Sequence, residues 1–251
     1  MEKKNCYSGV IKNGLLQNIE NEEISSWNER IRNFVFSSTF PCIGAQRLFR
    51  SFEYGIIVCN KKFKDDVVAP EFCENIYKVQ KSLNYKEISQ SLDLNFRSII
   101  VLFPKQTFLS EEDAETSLWY LYRNVHKYDS THYKWDVGFN NYIYSPSFGM
   151  SIGGIAHFTP LLHPNASSLV RQFEIPMLIL NPHFVFKQLR NKGYFDEWRN
   201  VIRNKEKEVQ SGWINPKLSD HGDSLEASQY ALTNEMVFDI GRCPFTGKGK
   251  E

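Results

Sequence analysis

Arg97-Ser98-Ile99-Ile100-Val101-Leu102-Phe103, closed by Pro104, is the run whose reading decides the fold class. It is short, β-branched and apolar without alternation, and proline stops it, which is the pattern of a central strand covered on both faces. A helical signature comes next: Ser110 ahead of Glu111-Glu112-Asp113 supplies a cap and acids at the positive helix end, with Leu118, Leu121, Tyr122 and Val125 as an apolar stripe to about residue 126. Working outward, 54–58 reads as a buried strand, and Pro70 opens a helix to about residue 83. A capping-box spacing at Ser26 starts a helix to about residue 36, and 45–52 reads as a second short helix after the Phe40-Pro41-Cys42-Ile43-Gly44 turn.

Beyond the central run, 141–158 reads as strands joined by Ser145-Pro146, and 176–180 as another strand. Pro182 opens a helix to Arg190 that Gly193 ends, and 194–210 is an amphipathic helix; from Ser211 the pattern becomes irregular. No internal repeat or linker interrupts the chain. The expectation is one α+β domain over 1–251, a mixed central sheet flanked by helices, with 1–20 and 246–251 loosely ordered.

Composition narrows the function classes. Thirty basic and 29 acidic residues leave a formal charge of +1, without the basic excess of a nucleic-acid binder. No apolar run reaches a membrane span of roughly 18–20 residues, and the basic N-terminal stretch has no apolar segment behind it, so no secretory signal is expected. The five cysteines are odd in number and widely spaced, which leads to an expectation of a cytoplasmic setting with reduced thiols.

The chemistry-bearing stretch is Leu161-Leu162-His163-Pro164-Asn165-Ala166-Ser167 and its continuation through Arg171 to His183. Imidazole is the commonest ligand to iron, copper and zinc. The alternatives are weaker. Gly149-Met150-Ser151-Ile152-Gly153 matches a nucleophile elbow, but the residues from Gly154 to Pro160 favour a strand rather than the required helix, so a hydrolase built on Ser151 is a minor alternative. His157 and His163 lack helical spacing for zinc, and neither a P-loop nor a dinucleotide glycine fingerprint occurs. His126 reads as a helix C-terminal charge, His132 as a surface residue, and His221, in Asp220-His221-Gly222-Asp223, as part of a solvated turn. His183 reads as the residue that opens a helix after Pro182. Cys42, at a helix start, is placed to suit a metal-ligating or reactive thiolate, but its first reading is a small buried residue at a turn.

Phe40-Pro41-Cys42-Ile43-Gly44-Ala45, Leu162-His163-Pro164-Asn165-Ala166-Ser167, Leu180-Asn181-Pro182-His183, Gln210-Ser211-Gly212, Asn215-Pro216, Glu226-Ala227-Ser228-Gln229-Tyr230 and Cys243-Pro244-Phe245 resemble, in order, the YqcI/YcgG family. Trp119, His126, Asp129 and Trp135 also fall where that family carries such residues. The resemblance implies haem b and hydroxylation of a guanidine nitrogen, on arginine or a related small molecule, with an external electron donor. It implies His163 as the axial iron ligand with Cys42 as runner-up, and Arg171 and Arg47 as partners of the haem propionates. Glu226 and Asp129, with Asp136, are the carboxylates expected to receive a guanidinium substrate. A haem-binding or sensing protein without oxygenase activity is the alternative. Two departures bear on the substrate: Ser228 and Ala231-Leu232-Thr233 stand where a basic residue and a Ser-Gly-Arg are expected, and Ser168-Leu169-Val170-Arg171 carries fewer arginines than the family pattern.

Overall fold

The central run forms strand β4 of a computed structural model that describes residues 5–17, 22–233 and 243–249. In chain order the elements are β1 (Cys6–Lys12), β2 (Leu15–Gln17), α1 (Glu22–Val35), α2 (Ile43–Ser51), β3 (Tyr54–Cys59), α3 (Val68–Ser82), α4 (Tyr85–Ile88), β4 (Ile99–Leu102), α5 (Glu111–Asp129), β5 (Met150–Ile152), β6 (Ile155–Phe158), β7 (Leu161–Leu162), β8 (Met177–Pro182), α6 (His183–Asn191), α7 (Phe195–Val209) and α8 (Ser228–Ala231). The sheet runs β2-β1-β3-β4-β8-β6-β5, with β7 also paired to β8. Among the described strands only β3 and β4 pair in parallel; the other ladders are antiparallel. This is the mixed, helix-flanked sheet expected from the sequence.

Both faces are covered, which explains the unbroken apolar strands. Ile57, Ile99, Val101, Leu178 and Leu180 pack on one side with α3 and α5. Ile56, Val58, Ile100, Leu102 and Met177 pack on the other with α1, α2, α6 and α7. Gly55 marks the closest approach of β3 to α3, since a Cβ there would run into Val79 Cγ1. Gly55→Ala is expected to cost about 1–3 kcal/mol through overpacking. A urea-unfolding midpoint equal to wild type would show that Val79 moves aside freely; Gly55→Ala with Val79→Ala should recover part of the loss.

A side-chain cap starts α5. Ser110 accepts the Asp113 N–H at 3.2 Å, and the Asp113 carboxylate accepts the Leu109 N–H, one residue before the cap, at 3.0 Å. α3 begins two residues before Pro70, which a first helical turn tolerates because its N–H groups have no helical partner.

Several expectations are corrected. Within the lead-in the described residues 5–17 are not loose: β1 lies between β2 and β3, with Val10 and Ile11 buried, while 1–4 lie outside the described residues. The β1–β3 register sets Cys6 opposite Cys59, and the two are disulfide-bonded, so only Cys42, Cys73 and Cys243 are free thiols. α1 starts at Glu22, placing Ser26 inside the helix, while 18–21 lie outside the described residues. In 141–158 only β5 and β6 are strands, joined by Gly153-Gly154 at φ +64 and +73, a turn that glycine allows without strain. Near the other end, Tyr142 donates to the Gly249 carbonyl at 2.6 Å, tying down part of the segment expected to be loose; 250–251 lie outside the described residues. No described helix is long and apolar enough to cross a membrane.

Candidate functional site

Between α1, α2, α6 and α7, over the sheet face formed by Ile100, Met177 and Ile179, lies a cavity of about 380 Å³. That is within the size range of small-molecule and cofactor sites. Phe34, Phe49, Phe96, Leu48, Leu189 and Trp198 make its walls largely apolar. Its polar groups come from a few positions, chiefly Cys42, Arg171, Glu206 and the Arg199–Arg203–Asp220 group.

Cys42 caps α2. Its Sγ accepts the Ala45 N–H at 3.4 Å, and it lines the cavity. Burial pushes the thiol pKa up, while the backbone N–H groups of Ala45 and Gly44 pull it down. A neutral thiol is favoured in this apolar setting, and a bound cation would reverse that preference because it stabilises the thiolate directly. Two N–H groups at a helix start are the donors a sulfur anion needs.

Arg171 sits in a single 3-10 turn (Leu169–Arg171) and is 8% exposed. One guanidinium nitrogen donates to the Gln229 and Tyr230 carbonyls at 2.8 and 3.0 Å. Burial lowers its pKa to about 10, and the Glu206 carboxylate works in the opposite direction. Glu206 is itself pushed up by burial and held down by Arg171 and Arg203.

The remaining residues singled out from the sequence do not converge on this cavity. His163 bonds Arg171 through the backbone, its N–H donating to the Arg171 carbonyl at 3.1 Å, yet its ring faces away. Strand alternation gives the reason: Leu162 packs toward the cavity side and Leu161 toward the other. His163 stands with Leu161, its ring edge-on to Phe108 at 5.4 Å, and it is not on the cavity wall. Both ring nitrogens are buried without a hydrogen-bond partner among the described residues. Burial, then the charge of Arg171, lowers its pKa to about 4.

Arg47 is exposed and lies over the Trp198 ring at 4.9 Å, a cation–π contact outside the cavity. Asp129 ends α5 and accepts Tyr77 OH at 2.6 Å and Gly153 N–H at 2.8 Å, so it pins the glycine turn rather than lining a cavity. Burial raises its pKa against those two hydrogen bonds. Asp136 likewise accepts the Ala156 and Gly138 N–H groups, both at 3.0 Å. Ser151 is fully buried in β5 and accepts the Asp136 N–H at 3.0 Å, so it lacks the exposed hydroxyl of a nucleophile elbow.

Glu226 is the surprise. It is 2% exposed, and both its oxygens are engaged. Oε1 lies 3.0 Å from His183 Nε2 and 2.9 Å from Tyr230 OH, and Oε2 is bonded to His221 Nδ1. Burial pushes this carboxyl up, but the hydrogen bonds and charges of His183 and His221 outweigh it and hold its pKa below the ordinary carboxylate value. Phe139 lies against both imidazoles, at 4.4 and 5.2 Å between ring centres. The group borders a second cavity of about 100 Å³ that shares Phe158, Phe186, Phe195, Ser219, Asp220 and Gln229 with the first. Sequence reasoning set His183 aside and read His221 as solvated. Glu226 lies 43 residues from His183, a separation no local motif spans.

Comparison with known proteins agrees with the motifs. No curated protein and no solved structure matches the chain significantly. The family model described as the YqcI/YcgG family matches residues 31–246. With that match over most of its length, the chain belongs to the YqcI/YcgG family.

Proposed function

We propose that this protein is a haem-dependent N-oxygenase that hydroxylates a guanidine or related amine nitrogen of a small molecule. The observation that carries the reading is the placement of a helix-capping thiol, Cys42 Sγ, on the wall of a largely apolar cavity of about 380 Å³. Aromatic and aliphatic walls suit a flat apolar macrocycle, and Arg171, buried on the same wall, suits a propionate. The residues present fit the group. Cys42 is the residue that would hold the iron, in place of His163, whose ring lies across the sheet from the cavity.

Haem would supply oxygen activation, and a thiolate donor favours O–O cleavage. The protein's own part is to exclude water with Phe34, Phe96 and Trp198 and to keep the sulfur in hydrogen bonds from the Ala45 and Gly44 N–H groups, while the wall carboxylates Glu206 and Asp220 are balanced by Arg171, Arg199 and Arg203. Glu226 is a weaker substrate partner than the sequence suggested, since two imidazoles and a phenol already occupy its oxygens.

The test begins with the absorption spectrum of the full chain expressed with a haem precursor. A Soret band is expected, lost or strongly shifted in Cys42→Ala and retained in His163→Ala. No band and no uptake on reconstitution would remove the reading, and the reverse variant pattern would return the ligand to His163. Arginine turnover with oxygen and a reductant, followed by mass spectrometry, then separates an oxygenase from a haem-binding protein of the same fold.

A further inference from the structure

We propose that His183, His221 and Glu226 form a second metal site, one that takes a first-row transition-metal dication and leaves coordination positions open toward the adjoining cavity of about 100 Å³. This does not depend on haem. The three residues each offer one ligand atom, and those atoms lie within 4.8 Å of one another.

The donor set decides the class of ion. Two imidazole nitrogens and one carboxylate oxygen suit iron(II), cobalt, nickel or zinc, whereas magnesium and calcium prefer all-oxygen shells. Three protein donors are also the number found in sites that keep a position for water or substrate.

The surroundings are built as metal shells are built. Tyr230 OH accepts the Met150 N–H at 3.0 Å and directs its single hydrogen between Glu226 Oε1 and the His157 carbonyl, each 2.9 Å away. Outer partners of this kind set the orientation of a ligating carboxylate. Phe139 restrains both rings from one side. His183 is placed by the β8–α6 junction and Glu226 by the turn entering α8, so two of the three ligands are carried by packed elements. His221 is the more accessible ligand, a quarter exposed, and provides the route of entry.

Proton balance follows from the contacts. Without an ion, the imidazole nitrogens facing Glu226 carry the protons that bond it. Coordination requires those nitrogens to present lone pairs, so each proton moves to the other ring nitrogen or leaves to solvent.

The experiment uses the full chain before any haem reconstitution, stripped with a chelator and titrated with Co²⁺ and Zn²⁺ by calorimetry and visible absorption. One equivalent of each should bind, Co²⁺ with the ligand-field bands of a nitrogen-containing shell, and Mg²⁺ should not compete. Glu226→Gln and His221→Ala should each weaken binding by about 100-fold, the scale at which even outer-shell losses act at their largest. The metal-dependent rise in melting temperature should vanish with it. His221→Ala replaces a part-exposed side chain and is expected to fold; a similar result with His221→Asn would control for packing. Absence of one-to-one Co²⁺ binding to wild type, or undiminished affinity in His221→Ala, overturns the site and leaves a hydrogen-bonded His-Glu-His cluster. Because the readout is metal uptake, a failed Soret band leaves this result intact, and the converse holds.

Discussion

Arg171→Leu is expected to destabilise the protein by about 3–5 kcal/mol, the scale for removing one partner of a buried ionic group. The guanidinium is the hydrogen-bond donor to the carbonyls of Gln229 and Tyr230 and the charge facing buried Glu206. Leucine leaves two carbonyls without this donor and leaves Glu206 with only Arg203 and the Gln210 amide to offset its buried charge. Against a typical total stability of about 5–15 kcal/mol, the loss would leave some of the population unfolded on warming. Arg171→Lys should cost less, because it keeps the charge but not the planar fork. The double variant Arg171→Leu with Glu206→Gln should recover part of the loss, as the buried charge that Arg171 offsets is removed too. Urea-unfolding midpoints measure all three, and a single-variant loss below about 1 kcal/mol would show that water reaches these groups.

Acid should unfold the protein well before its carboxylates are all protonated. Burial holds His163 at about 4 and His157 at about 3, against about 6.5 in an unfolded chain. Between those values the unfolded state binds protons that the folded state refuses. The stability contributed by neutral burial is therefore complete above about pH 6.5 and is lost as the pH falls toward about 4. For His163 the difference amounts to about 3 kcal/mol, and His157 adds at least as much. Glu226, held low by its histidines, adds to the loss at more acidic pH, whereas Asp129 and Glu206, both pushed up by burial, oppose it. Midpoints measured from about pH 7 to about pH 5 should fall steadily, with a shallower fall in His163→Leu. A flat profile would mean that these rings find partners or solvent when protonated.

The sheet was legible where a residue run carries its own signal. β4 followed from β-branched side chains before Pro104, and α5 from the cap at Ser110 and the acids behind it. β1 was not, because Ser8 and Gly9 interrupt its apolar pattern and its partner β3 lies beyond two intervening helices. The same limit applies to the site. Cys42 was readable as a helix-capping thiol, since cap and helix are adjacent in sequence. That His163 faces away from the cavity follows from strand parity, but which face of the sheet holds the cavity depends on how α2, α6 and α7 pack. Likewise, Glu226 meets His183 only because the turns around α8 fold back onto the start of α6.

The large cavity is walled by residues from Ile31 on α1 to Gln229 on α8, with the sheet as its floor. No contiguous half of the chain contains it. During synthesis, Cys42 emerges long before Arg171, α7 and the Ser219–Asp220 turn that complete the enclosure. The loop-closure entropy of joining such distant segments has to be met before their contacts reward it, so closure of this chamber belongs to the late, slow part of folding. A ligand taken into it would enter a chain that is already fully made, and would act as a clamp between the early and late thirds of the polypeptide.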